Sequence, residues 1–184
     1  MISHEEAMEL LSHYLQDEKL HFHSYAVEAI MKQLANKLGN DEELWSLIGL
    51  LHDLDFEYTQ NNPEEHTKIT SEILSGLIPE IGINAIQGHN YIHTDYLPTS
   101  ELDKALLAAD AVSGLIIAAA LVMPNKKLCE VKDKTLQKKY ADSSFAKGCD
   151  RHRIAMCEDI GIPLEEFLQL SLTALQQIAS KLNL

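Results

Sequence analysis

The chain has 184 residues and a mass of 20.6 kDa, with 46% apolar, 23% charged and 6% aromatic residues. That composition excludes a charge-dominated disordered chain, and the length predicts one domain that buries its own core without disulfide staples. Fifteen Lys and Arg against 28 Asp and Glu give a formal charge of −13, a field that argues against general binding to nucleic acid or anionic membranes.

No stretch alternates apolar with polar residues for long enough to make a sheet, so the sequence predicts an all-α fold. The first helix opens at Ser3 with Glu6 three positions on, a capping box. A second runs through His23 and Val27 to about Leu38, where Gly39 stops it. Asn40 is the expected cap of a third, DEELWSLIGLLHDL, with an acidic first turn. Asn62 and Pro63 read as N-cap and first residue of a helix over 64–77. A short helix over 84–91 follows, then one capped by Ser100 that runs to Pro124. Further helices are expected over 135–140, 145–160 and 163–181, the last closing the core. No internal repeat or linker marks a domain boundary.

The nineteen residues 105–123 are close to membrane-span length, with only Asp110, Ser113 and Gly114 departing from apolar. A carboxylate at a membrane centre costs about 2.5 to 3.5 kcal/mol, and Lys and Arg are not asymmetrically placed around the segment. A buried helix of a soluble bundle is the better reading, which requires Asp110 to be paired, hydrogen-bonded or bound to a metal. Cys129, Cys149 and Cys157 form no metal-binding pair, and their odd number suits a reducing compartment. The N-terminus MISHEEAMELL lacks the basic stretch and apolar core of a signal peptide, so a cytoplasmic location is expected.

The strongest chemical signal is the His52-Asp53 doublet that ends the apolar run LWSLIGLL, where the two side chains project about 100° apart on a helix. With His23 upstream and Asp110 downstream it makes a nitrogen and oxygen set without thiolate, suited to Mn, Fe, Ni, Co or Mg rather than structural zinc. Each histidine taken alone is more often a hydrogen-bonded core or surface residue. Asp55 and Glu57, just after the doublet, read either as proton-transfer and orienting groups or as a solvated acidic turn.

The pattern H…HD…D, with LLHDLD at its centre, resembles the HD-domain superfamily of metal-dependent phosphohydrolases. NNPEEHTKITSEIL and AIQGHNYIH resemble the two extra histidine segments of members that bind two metals, and ALLAADAVSGLIIAAALV the helix carrying the final Asp. NKKLCEVKDKTLQKKYADSSFAKG is similar to the C-terminal part of a small bacterial group of predicted HD hydrolases, relatives of the HDIG proteins. The resemblance implies an HD-domain helical bundle with a metal-binding core over about 21–123 and a basic helical part over about 124–184. It further implies His23, His52, Asp53 and Asp110 as ligands of one ion, Asp53 bridging to a second, and His66 and His89 holding that second ion. HD-GYP phosphodiesterases carry a histidine pair where this chain has His89 and Asn90, and the GYP sequence is missing, which removes support for cyclic dinucleotide cleavage. His93, four residues after His89, could face the same way on a continued helix and replace the lost ligand.

The activity implied is hydrolysis of a phosphate ester or anhydride of a small nucleotide by metal-activated water, with Asp53, His52, Asp55 and Glu57 as the catalytic candidates. No GxSxG and no glycine-rich phosphate loop compete with that reading. Two others do: a metal-binding regulatory module without turnover, and a dinuclear-iron oxygenase on the same kind of ligand set. Charge adds a clue, because residues 126–153 hold nine of the fifteen Lys and Arg and only four acids, a local +5 against −18 elsewhere. Lys138, Lys139, Lys147 and Arg151 are the candidate contacts for a small anionic phosphorylated substrate; a solvated helix face is the alternative.

Overall fold

The computed structural model describes all 184 residues and is helical throughout, with no named strand. Its helices are α1 (His4–Tyr14), α2 (Glu18–Leu38), α3 (Glu42–Leu51), α4 (Phe56–Thr59), α5 (Lys68–Leu74), α6 (Glu80–His89), α7 (Glu101–Leu121), α8 (Asp133–Ala141), α9 (Arg151–Ala155) and α10 (Leu164–Gln177). The all-α expectation holds, and so do the capping box at Ser3, the cap at Ser100 and the stop at Gly39; the structure adds that Ser100 and Asp103 also form a capping box and that Gly39 is left-handed.

α2 and α7 are the central pair. α2 packs on α3, α7 and α10, and α7 also packs on α6 and α9. Leu106, Ala109, Val112, Leu115 and Ile116 of α7 are fully buried, which explains an apolar stretch long enough to cross a membrane by length and composition. One cluster of 43 buried apolar residues runs from Ala7 and Leu11 of α1 to Phe167 and Leu175 of α10. Each leucine or phenylalanine so buried contributes about 1.5 to 3 kcal/mol. α2 and α3 cross without a side chain between them at Gly49, where an added Cβ would lie 2.9 Å from the Val27 carbonyl oxygen. That close crossing brings the His23 and His52 rings to a centroid separation of 5.2 Å.

Four sequence expectations need correction. The cap of α3 is Asp41, which accepts the Leu44 N–H, while the Asn40 amide donates to Glu101 instead. The segment 62–67 is a run of tight turns, and the helix after it starts only at Lys68. The reason is tertiary: the Asn90 amide donates to the carbonyls of Pro63 and His66, and Thr67 adopts a left-handed φ of 76°. α6 begins at Glu80 and stops at His89, earlier at both ends than expected. Residues 145–160 are not one helix but turns, the short α9 capped by Asp150, and a 3-10 turn at Glu158–Ile160 that ends at Gly161.

Candidate metal centre

The His and Asp side chains singled out in the sequence converge where α2, α3, α6 and α7 meet. His52 is the C-cap residue of α3, so it and Asp53 leave the helix just as its apolar face runs into the core. His23 comes from α2, His66 from the turns before α5, His89 from the last position of α6, and Asp110 from the middle of α7.

Three of the four imidazoles are oriented by their second nitrogen. His52 Nδ1–H donates to the Gly49 carbonyl at 2.9 Å. The Ser113 hydroxyl donates to the Asp110 carbonyl, which leaves its oxygen free to accept from His23 Nδ1–H at 3.2 Å. His66 Nδ1–H donates to Asp55 at 2.7 Å, and Asp55 in turn accepts the Thr70 N–H. Each bond commits Nδ1 as the donor and leaves the Nε2 lone pair facing the cluster, the arrangement a metal-ligating histidine requires. His89 presents Nε2 as well, while its buried Nδ1 has no partner.

The two carboxylates span the site in parallel. Asp53 turns Oδ2 toward His23 Nε2 at 3.5 Å and Oδ1 toward His52, His66 and His89 Nε2 at 3.5, 3.3 and 3.9 Å. Asp110 likewise sets Oδ1 against His23 and Oδ2 against His89, each at 3.2 Å. Two overlapping triads, His23 with His52 and Asp110, and His52 with Asp53 and His89, bring one ligand atom from each residue within 4.8 Å of the others. Asp53 Oδ1 is buried and accepts no hydrogen bond. A buried carboxylate oxygen left bare beside three imidazole nitrogens is costly in an ordinary core and is what a divalent cation would satisfy. The residues therefore fit one or two metal ions.

Electrostatics follow the same geometry. Burial pulls the His52 imidazolium down to about 4, so this ring is a neutral ligand at physiological pH. Burial also opposes charge on His66, but the carboxylates of Asp53 and then Asp55 beside the ring outweigh it and raise His66 to about 9. For Asp53, burial is overcome by the neighbouring His52 and His66 rings, and the carboxyl is held well below its usual range. The Asp110 carboxyl is also held low against burial, by hydrogen bonds from His23 and His89. In the metal-free protein, the proton that His66 keeps below pH 9 sets positive charge beside Asp53 and Asp55.

A cleft of about 430 Å³ opens onto the cluster, with Leu20, Phe56, Asn90 and Arg153 completing its walls. Beyond His23, Asp110 and Arg153 it continues as a second lobe of about 300 Å³ along Ala111, Gly114 and the 148–150 loop. Asp55 is buried behind His66 and does not line the cleft, so it acts through that ring. Glu57 is not at the site: its carboxylate accepts the N–H groups of Gln16 and Asp17 and fastens the α1–α2 loop. His93 is exposed in a turn, because α6 ends at His89 and cannot carry a ligand one turn further. Asn90 is part of the wall and pins the turn that carries His66.

None of Lys138, Lys139, Lys147 and Arg151 lines either lobe. Lys138 and Lys147 are exposed, and the Lys139 ammonium sits over the Phe145 ring at 4.1 Å. The Arg151 guanidinium is consumed by the carbonyls of Lys139, Tyr140, Asp142, Phe145, Ala146 and Cys149. The arginine at the cleft is Arg153, with Nη1 3.7 Å from Asp110. Sequence reasoning missed it and Ser113. Ser113 was findable, as the polar residue one turn after Asp110 in an apolar helix; Arg153 required knowing where α9 starts.

Residues 21–115, just over half of the chain, match the HD domain. No solved structure matches the chain. The matched span opens two residues before His23 and closes five after Asp110, so it takes in every residue of the cluster just described. The chain belongs to the HD-domain family.

Proposed function

We propose that the protein is a metal-dependent phosphohydrolase that cleaves a phosphate ester or anhydride of a small nucleotide. The observation that carries this reading is the bare, buried Asp53 Oδ1 faced by the Nε2 atoms of His52, His66 and His89, with His23 on Oδ2, at the floor of an open cleft. His23, His52, Asp53 and Asp110 would hold one divalent ion, and His66 and His89 with Asp53 a second, drawn from Mn, Fe, Ni, Co or Mg. Such ions supply Lewis-acid activation of water and neutralise charge on phosphoryl oxygens.

The chain's own residues do the rest. Gly49, Ser113 and Asp55 fix three imidazoles in the ligating tautomer, so little reorganisation is left for the reaction. Leu20 and Phe56 form the apolar side of the cleft. The test is reconstitution of purified protein with each metal in turn, followed by phosphatase and phosphodiesterase assays on nucleotides, with Asp53→Ala as control. Phosphate release that depends on both metal and Asp53 is the expected result. Bound metal without phosphate release from any substrate would contradict the reading and favour a sensory or oxygenase role.

A further inference from the structure

α9 presents a second arginine whose situation differs from that of every other cation in the basic segment. The Arg153 side chain is 17% exposed, and its guanidinium carbon lies 5.4 Å from the centre of the Tyr91 ring. None of its side-chain N–H groups donates a hydrogen bond within the protein; the nearest carboxylate oxygens, on Asp110 and Asp150, lie at 3.7 and 3.9 Å. An arginine that is mostly buried, stacked and yet leaves its donors unused is a planar fork held ready for an oxyanion.

Position sharpens the point. Arg153 stands at the junction of the two lobes and is the one Lys or Arg in the walls of either. Those walls otherwise carry Asp53, Asp110 and Asp150, on a chain of net charge −13, so an anion entering there meets one fixed protein cation. Asp150 caps α9 by accepting the His152 and Arg153 N–H groups, which sets the rotation of that short helix and aims Arg153 at the cluster.

We propose that Arg153 is the oxyanion anchor of the site, gripping the non-reacting oxygens of a phosphoryl group beside the metal cluster. This deepens the hydrolase reading and rests on it for the identity of the oxyanion. The test is calorimetric titration of inorganic phosphate into Mn-loaded wild type, Arg153→Gln and Arg153→Lys, with metal content and melting temperature measured on each. Phosphate should bind at least about tenfold more weakly to Arg153→Gln, the worth of one charge-assisted bidentate contact, while metal content is unchanged. Arg153→Lys should fall between, keeping charge but losing the fork. Equal phosphate affinity in wild type and Arg153→Gln, or no phosphate binding by loaded wild type, would overturn the assignment. Arg153-dependent phosphate binding in a protein that hydrolyses no phosphate ester would uphold the anchor and sink the hydrolase reading.

Discussion

The His and Asp cluster and the arginine turn of residues 139–151 are both built from polar groups in partly buried surroundings, and the fold treats them in opposite ways. In the turn, one guanidinium closes every account: Arg151 donates to six backbone carbonyls that no regular helix satisfies. In the cluster, the fold spends its hydrogen bonds on the outer nitrogens of His23, His52 and His66 and leaves Asp53 Oδ1, at the centre, without a hydrogen-bond partner. The lesson is that charge density alone does not mark a site. What marks it is a set of polar atoms that the surrounding structure aims and then declines to satisfy.

The contrast is broken most severely by removing the residue that completes the turn. Arg151→Gln should cost about 3 kcal/mol, because several partly buried carbonyls lose their donors together, and lower the melting temperature by roughly 10 °C. Arg153→Gln, two residues away and without such bonds, should shift melting by no more than about 2 °C. Thermal unfolding of the two variants side by side checks the distinction.

A smaller effect is expected from the bonds that aim the cluster. Asp55→Asn replaces the acceptor of His66 Nδ1–H with an amide that can reverse the imidazole tautomer. Metal affinity should fall by about ten- to a hundredfold, the usual cost of losing an orienting partner, measured by competition with a chelator.

Proton linkage gives a third expectation, for chelator-treated protein. His66 is raised from 6.5 to about 9, so its stabilisation is full below pH 6.5 and is lost as pH rises through 9. His52 is lowered from 6.5 to about 4, so the stability it contributes is present above 6.5 and is lost as pH falls toward 4. Metal-free protein should therefore be most stable near pH 6.5 and lose a few degrees of melting temperature toward pH 9, a loss that metal loading removes. A flat alkaline profile without metal would mean that the His66 pairing with Asp53 and Asp55 contributes nothing.

The mildest change is Asn90→Ala. It frees the carbonyls of Pro63 and His66 at a cost of about 1 to 2 kcal/mol and loosens the turn that carries His66. The expected readout is weaker metal binding with the core intact by circular dichroism.

Helical class and caps were legible because they depend on neighbours in sequence: Ser3 with Glu6, Ser100 before Glu101, Gly39 after Leu38. The adjacency of His52 and Asp53 at the end of an apolar helix was legible for the same reason. What failed depended on partners far along the chain. Asn62 and Pro63 carry a proper helix-start signal, yet Asn90, 24 to 27 residues later, captures that backbone into turns. Arg151 and Arg153 have the same charge and sit on one short helix, and only the turn wrapped around the first separates a fold-holding residue from one that faces the cleft. Glu57, two residues after Asp55, faces the α1–α2 loop because α4 begins between them and rotates it away from His66.

The central claim is that the bare carboxylate oxygen and the four aligned imidazoles exist to hold metal. Elemental analysis of protein purified without chelator, wild type against Asp53→Ala, tests it most directly. About one or two transition-metal ions per wild-type chain, falling by at least about tenfold in the variant, is the predicted result. Metal absent from wild type even after reconstitution, or retained in full by Asp53→Ala, would contradict it.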